Sequence, residues 1–454
     1  IAMSDRGDGI YVVSLDVIDL LSNLLPSDVN RIFAGYIKLY NGATLERQYN
    51  KFLDVLTADI SNVTATILNS DVQVTPHLFN TIGTYDTPRA TITQKFYEYY
   101  ADKYDFINII YDEGRHLNRH HVTVSNGVHN IGRSIFDSSS SYGSGGRLKG
   151  INIYPLPGFF DLASGTFSHE TGHQWVNFLT FEPLSWRVAH WPLSTLANGI
   201  MGWAMTLGGQ GLSFAYTIIQ IDENQWQLNL DPKPVFTDLS LYLMGLIPYY
   251  EVATHTVFHN QDQPIGNGEI WEGPVTYVDG YDVIAEMGER IPDYQNSQKI
   301  FRVATILATK DGLASPEMMS LYDWFASRGE LEARVATHQG FAKGLSSTFY
   351  YATGGRGRVI LKIGCYNDGS TCEGNFDGDA DVDGTDASTF KTDFGRNTYK
   401  NPCNTEPVCN GNFDCDLDVD GTDAATFKTD FGRNGYKNPC PLCVTEPWCV
   451  CLLY

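Results

Sequence analysis

The sequence predicts an α+β fold, in which a mixed sheet supports one helix bearing a histidine pair, followed by a small disulfide-stapled tail. Three observations predict it. The first 364 residues alternate strand-like and helix-like segments without a cysteine, and all nine cysteines (365, 372, 403, 409, 415, 440, 443, 449 and 451) follow. Residues 374 to 403 recur at 411 to 440 with 26 of 30 positions identical. An H-E-x-x-H pattern stands at 169 to 173.

With 454 residues the chain has room for about two to four domains. At 43% hydrophobic and 19% charged residues it is too apolar for a disordered chain, and no run reaches the roughly 18 apolar residues of a membrane span. A net charge of -22 repels phosphate backbones and anionic headgroups, so neither nucleic acid nor a membrane surface is expected as a partner. Cysteine confined to an acidic tail fits an oxidising compartment and predicts a secreted, extracellular or cell-surface protein. Ile1 in place of a start methionine, with no basic and then apolar run in residues 1 to 25, predicts that an export signal has been removed. The expected parts are an N-terminal α/β stretch (1–100), a metal-site core (101–260), a C-terminal subdomain (261–364) and the tail (365–454).

Taken in order, 11–17 (YVVSLDV) and 105–113 (DFINIIYDE) read as strands, and 43–58 and 88–102 as helices. His116 and His120, four apart but flanked by Arg115 and Arg119 without an intervening acid, read as a solvated basic loop. Residues 133–149 form a Ser/Gly-rich loop before a strand at 150–156 (GINIYPL), and a helix is expected over 166–180. Further strands are expected at 275–278, 299–308 and 356–363, with a helix at 315–336.

On that first helix, His169 and His173 lie four residues apart on one face and can both direct a ring nitrogen at one ion about 2.0 to 2.1 Å away. Glu170 points beside that face, where it can take a proton from a zinc-acidified water and pass it to a leaving amine. Phe167, Trp175, Val176 and Leu179 can hold the helix in a core while its polar stripe faces a cleft. The strand ahead of it offers an edge on which an extended peptide could pair. His190 is the first choice for a third ligand and Asp238 the second, with Glu182 and Glu223 behind them; Met201 and Met244 are candidates to underlie the metal.

The blocks HETGHQW, AHWPL (189–193) and LYLMGLIP (241–248) resemble secreted bacterial zinc metallopeptidases of the zincin type, over roughly residues 90 to 360. The resemblance implies one zinc held by His169 and His173, with Glu170 as general base and protein or peptide as substrate. Two departures stand out: Leu179 occupies the position of a third histidine in the short metzincin spacing, and Ser240 stands where the resembling group has an acid.

From 365 onward, sixteen acidic and six basic residues carry -10 of the net charge. Oxygen-bearing side chains fall at loop positions 1, 3, 5, 9 and 12 of each repeat: Asn375, Asp377, Asp379, Asp383 and Asp386, then Asn412, Asp414, Asp416, Asp420 and Asp423. Asp381 and Asp418 stand at position 7, where a backbone carbonyl completes the six to eight oxygens that calcium takes. The loops are EF-hand-like but carry Ala380 or Leu417 at position 6 and Asp at position 12. They resemble dockerin-type repeats, which implies two calcium ions and attachment to a cohesin-like receptor. The leading expectation is an exported zinc endopeptidase with a calcium-binding tail. The alternative is a surface-assembly protein that keeps a peptidase-like fold and forms homo-oligomers or filaments through the tail.

Overall fold

The computed structural model describes residues 4–5, 11–12, 31–41, 44–55, 63, 65–112, 119–155, 165–185, 190–202, 204–205, 211–212, 216–230, 235–259, 267–332, 335–336 and 345–363. In the tail it describes 374, 376, 381–397, 399, 401, 403, 409, 411–413 and 418–434. Ile1–Asn62 with His338–Gly344 form one compact unit, and Val63–Thr337 with Leu345–Tyr454 the other. In the first unit, Arg31–Asn41 and Thr44–Val55 pair as an antiparallel hairpin, and Ser4–Asp5 pairs with Tyr11–Val12.

The second unit is mixed α/β, built on an eight-stranded mixed sheet. Its strands are β1 (Thr66–Asn69), β2 (Val72–Thr75), β3 (Leu78–Ile82), β4 (Phe106–Tyr111), β5 (His120–Thr123), β6 (Gly150–Pro155), β7 (Ile300–Thr309) and β8 (Arg358–Ile360). The order is β1-β2-β3-β7-β4-β6-β5, with β8 beside β7. β3, β7, β4 and β6 run parallel, and β5 closes one edge antiparallel to β6. Every residue of β4 is buried, which is why FINIIY reads as an apolar run rather than an alternation. One layer covers the sheet with α1 (Arg89–Tyr97), whose Phe96 stacks on Tyr100 and meets Phe79 edge-on. The other packs α2 (Gly165–Gly172) and α3 (Asp238–Met244) into a core with Trp175, Trp191, Phe301 and Phe349. Among the described residues no helix is long and apolar enough to cross a membrane.

Several elements differ from the sequence reading. Residues 44–55 form a strand where a helix is expected over 43–58. Leu45, Tyr49 and Leu53 recur every four residues, a spacing that fits one helix face and one strand face equally. The helix expected over 166–180 ends at Gly172; residues 173 to 175 tighten into i to i−3 bonds, and Asn177 takes positive φ. The long helix near 315 starts with a Ser315 cap and Pro316 but stops at Ser327, where a 3-10 turn takes over. The strand at 150–155 is no edge: β4 and β5 occupy its two sides, and the open edge belongs to β5. His120 begins that strand and its Nε2 lies 3.1 Å from Arg89 Nη2, so it is not in a solvated loop; His116 lies outside the described residues.

In the tail, α4 (Gly384–Asp393) and α5 (Gly421–Asp430) follow the two loops at matching positions of the repeat. The repeats clasp each other reciprocally. Val382 and Val419 each exchange backbone hydrogen bonds with the turn after the other repeat's helix, at Gly432/Arg433 and Gly395/Arg396. Phe390 and Phe427 stack at 4.8 Å, and a Cβ at Gly411 or Gly374 would sit 2.3 Å from the opposite repeat's phenylalanine. Cys403 and Cys409 form a disulfide, and the other seven cysteines lie outside the described residues. Because each phenylalanine fills the other repeat, Phe427→Ala should destabilise the whole tail by about 3 kcal/mol. The check is limited proteolysis: cleavage should quicken on both sides of the repeat pair while fragments of 63–337 keep their wild-type lifetime.

Candidate metal centre

Three elements bring the histidines together. α2 supplies His169 and Glu170, the turn closing it supplies His173, and the segment entering the 190–202 stretch supplies His190. That segment is pinned from behind. Trp191, 1% exposed, donates its indole N–H to Ser240 Oγ at 3.0 Å, and its backbone N–H to Met201 O at 3.1 Å. Ser240, the departure from the acidic pattern, thus anchors the residue next to His190. The same 199–202 stretch reaches α2 twice, since Ile200 O lies 2.7 Å from His169 Nδ1 and a Cβ at Gly172 would meet Met201 Sδ at 2.7 Å.

The result is convergence of three Nε2 atoms. His169 Nε2 lies 3.2 Å from His173 Nε2 and 3.0 Å from His190 Nε2. His169 Nδ1 donates to Ile200 O, so in the neutral ring its Nε2 holds a single lone pair and cannot accept from both neighbours. A cation between the three resolves the conflict. An ion 2.0 to 2.1 Å from each nitrogen in tetrahedral geometry requires nitrogen separations of about 3.3 to 3.4 Å, close to those observed. Burial holds all three imidazoles in their neutral, ligating form: it lowers His169, takes His173 well below the ordinary value, and pushes His190 down to about 3. His173 Nδ1 is buried with no hydrogen-bond partner among the described residues. The donor set, all neutral imidazole, fits zinc.

Glu170 is buried and adjacent to His169 in α2. Asp238 is engaged elsewhere: its carboxylate accepts from His255 Nε2 at 2.5 Å, from Leu239 N at 2.7 Å and from Ala253 N at 2.8 Å. Those contacts hold its pKa below the ordinary carboxylate value against the opposing effect of burial. Glu182 accepts from Ser185 Oγ, and Glu223 is exposed in the turn between Tyr216–Asp222 and Gln225–Leu230. Met244 is buried in the core with α3.

Sequence reading passed over His121. On β5 its Nδ1 lies 2.8 Å from Asn152 Oδ1 and its Nε2 3.1 Å from Gln174 Oε1, and burial pushes its pKa down to about 4. Only its alternation in the edge strand could have marked it, and the basic run GRHLNRHH obscures that signal.

In the tail, Asp381, Asp383 and Asp386 come together, as do Asp418, Asp420 and Asp423, with carboxylate oxygens within 4.8 Å of one another. Asp386, 1% exposed, accepts from Phe376 N at 2.6 Å and Asp383 N at 2.9 Å, and Asp423 repeats this with Phe413 N and Asp420 N. A carboxylate oxygen offers more than one lone pair, so a single N–H orients the position-12 side chain without exhausting it. Asn412 is buried, whereas Asn375, Asp377, Asp379, Asp414 and Asp416 lie outside the described residues. The acidic donor set fits calcium. Comparison with known protein families, curated proteins and solved structures finds no match for this chain.

The depressed His121 pKa ties stability to pH. Between about 4 and the ordinary 6.5 the unfolded chain binds a proton that the folded chain refuses, so stability rises with pH and is lost on acidification through that window. His121 alone should remove about 2 kcal/mol between pH 7 and pH 5. Denaturant midpoints of the chelator-treated protein should therefore fall less over that interval in His121→Gln than in the wild type.

Proposed function

We propose that this chain is an exported zinc-dependent endopeptidase whose acidic tail binds two calcium ions and attaches it to a cohesin-like receptor. The observation that carries the reading is the convergence of His190 on His169 and His173, with Nε2 atoms 3.0 and 3.2 Å from that of His169, beside the segment that also bears Glu170. His169, His173 and His190 would hold the zinc. When bound, the ion supplies Lewis acidity that acidifies water and polarises a peptide carbonyl. Glu170 takes the proton from the attacking water at its carboxylate and returns it to the nitrogen of the departing amine. The outer edge of β5, unpaired among the described residues, supports an extended peptide as substrate. His121, reaching from β5 to Gln174, places that edge beside the turn bearing His173.

Metal analysis of the purified chain should find one zinc, lost in His190→Ala and retained in Asp238→Asn. Glu170→Gln should keep the zinc and lose at least a hundredfold in hydrolysis of an unfolded protein substrate, since it removes the base and not a ligand. Zinc binding with no hydrolysis by the wild type would instead favour the surface-assembly reading.

Calcium removal should loosen 365–454 and spare 63–337, because the clustered carboxylates repel one another without a cation. Identical proteolysis patterns of the tail with calcium and with chelator would overturn the calcium role.

A further inference from the structure

We propose that His121 is a positioning residue for the histidine cluster: with Asn152 and Gln174 it fixes the sheet side of the turn that carries His173. The inference rests on the zinc reading above. Thr171 and Gln174 lie on the side of the 165–174 segment opposite His169 and His173, and are 0% and 2% exposed. Phe167 and Trp175 already supply the apolar contacts there, so hydrophobic packing alone does not call for a threonine and a glutamine.

What they make is a connected polar network. Asn152 Nδ2 donates to Asn108 Oδ1 at 3.0 Å and to Thr171 Oγ1 at 3.1 Å, and Gln174 Nε2 donates to Ser125 O at 2.8 Å. Both carboxamides are thereby oriented, and the oxygens left over, Asn152 Oδ1 and Gln174 Oε1, face the two ring nitrogens of His121. The ring spans the gap between β6 and the turn after α2; carrying one N–H when neutral, it donates to one of the two oxygens and packs against the other, a combination no aliphatic side chain reproduces. The backbone makes room for it. A Cβ at Gly150 would lie 2.3 Å from His121 Cε1, 2.7 Å from its Nε2 and 3.0 Å from Gln174 Oε1.

Network and metal ligand share one turn. Thr171 and Gln174 flank Gly172 and His173, so slack on the sheet side lets the turn rotate and carries His173 Nε2 away from His169. Groups bonded directly to a metal ligand typically alter metal affinity about 10- to 100-fold, and His121 acts one residue further out, through Gln174 beside His173.

Two variants test it in the full chain: His121→Phe, which removes the link, and Gly150→Ala, which displaces the ring while leaving every network side chain chemically intact. Zinc affinity is read by competition with a chromophoric chelator, cobalt geometry by the visible absorption of the cobalt-loaded protein, and stability by thermal unfolding of the metal-free chain. Val74→Ala, in β2, serves as a control for lost stability. The expected result is about tenfold weaker zinc binding and a changed cobalt spectrum in both variants, with neither change in the control. If His121→Phe does not fold, Gly150→Ala decides alone. Wild-type zinc affinity and cobalt spectrum in the variants would overturn the proposal and leave the network a purely structural one. A wild-type chain that takes up neither zinc nor cobalt would overturn the zinc reading itself, and the proposal with it.

Discussion

Three neutral imidazoles with their lone pairs aimed at one point form an arrangement that a folded chain has reason to avoid. Each nitrogen would be better satisfied by an N–H from elsewhere, and burial keeps the rings neutral, so that each carries a single N–H to place. The surrounding structure must therefore impose it. The β6 to α2 layer holds two of the rings at the end of a short helix. The stretch after His190 is tied down through Trp191 to Ser240 of α3 and through Met201 to the underside of α2. A sheet, two helices and a loop are all recruited to hold nitrogens that repel one another unless a cation lies between them.

That demand explains why the contact between α2 and the sheet is partly polar. An apolar helix face can slide or rotate on a sheet at modest cost, because dispersion and hydrophobic burial are not directional. Thr171 and Gln174, bonded to Asn152, Ser125 and His121, set both rotation and register, since a buried hydrogen bond survives only over a few tenths of an ångström and some tens of degrees. The apolar residues Phe167, Trp175 and Val176 stabilise the contact, and the polar ones specify it.

What the sequence discloses follows from how local each signal is. His169, Glu170 and His173 are legible because one helical turn relates them, and α4 and α5 because the duplication repeats their context. His190 is legible only in part: 17 residues separate it from His173, and nothing in the intervening chain states that Trp191 reaches Ser240. His121 is invisible because its role depends on β5 lying against β6, a pairing between strands 27 residues apart that no local pattern encodes. The strand at 44–55 is misread for the opposite reason, since a four-residue apolar spacing is local and satisfies two geometries at once.

The tail meets its own version of the charge problem by symmetry. Its apolar core among the described residues is small, with Val382, Val419, Phe390 and Phe427 supplying most of the buried side-chain bulk. Each loop closes around a cluster of carboxylates that resists compaction. Because Phe390 covers Gly411 while Phe427 covers Gly374, neither repeat can bury its own helix without the other in place. The N–H groups of Phe376 and Asp383 orient the Asp386 carboxylate, yet two backbone dipoles offset only part of the charge gathered in its loop. A divalent cation in each loop would neutralise the remainder, and the reciprocal packing means that charge compensation in one loop also steadies the core on which the other depends.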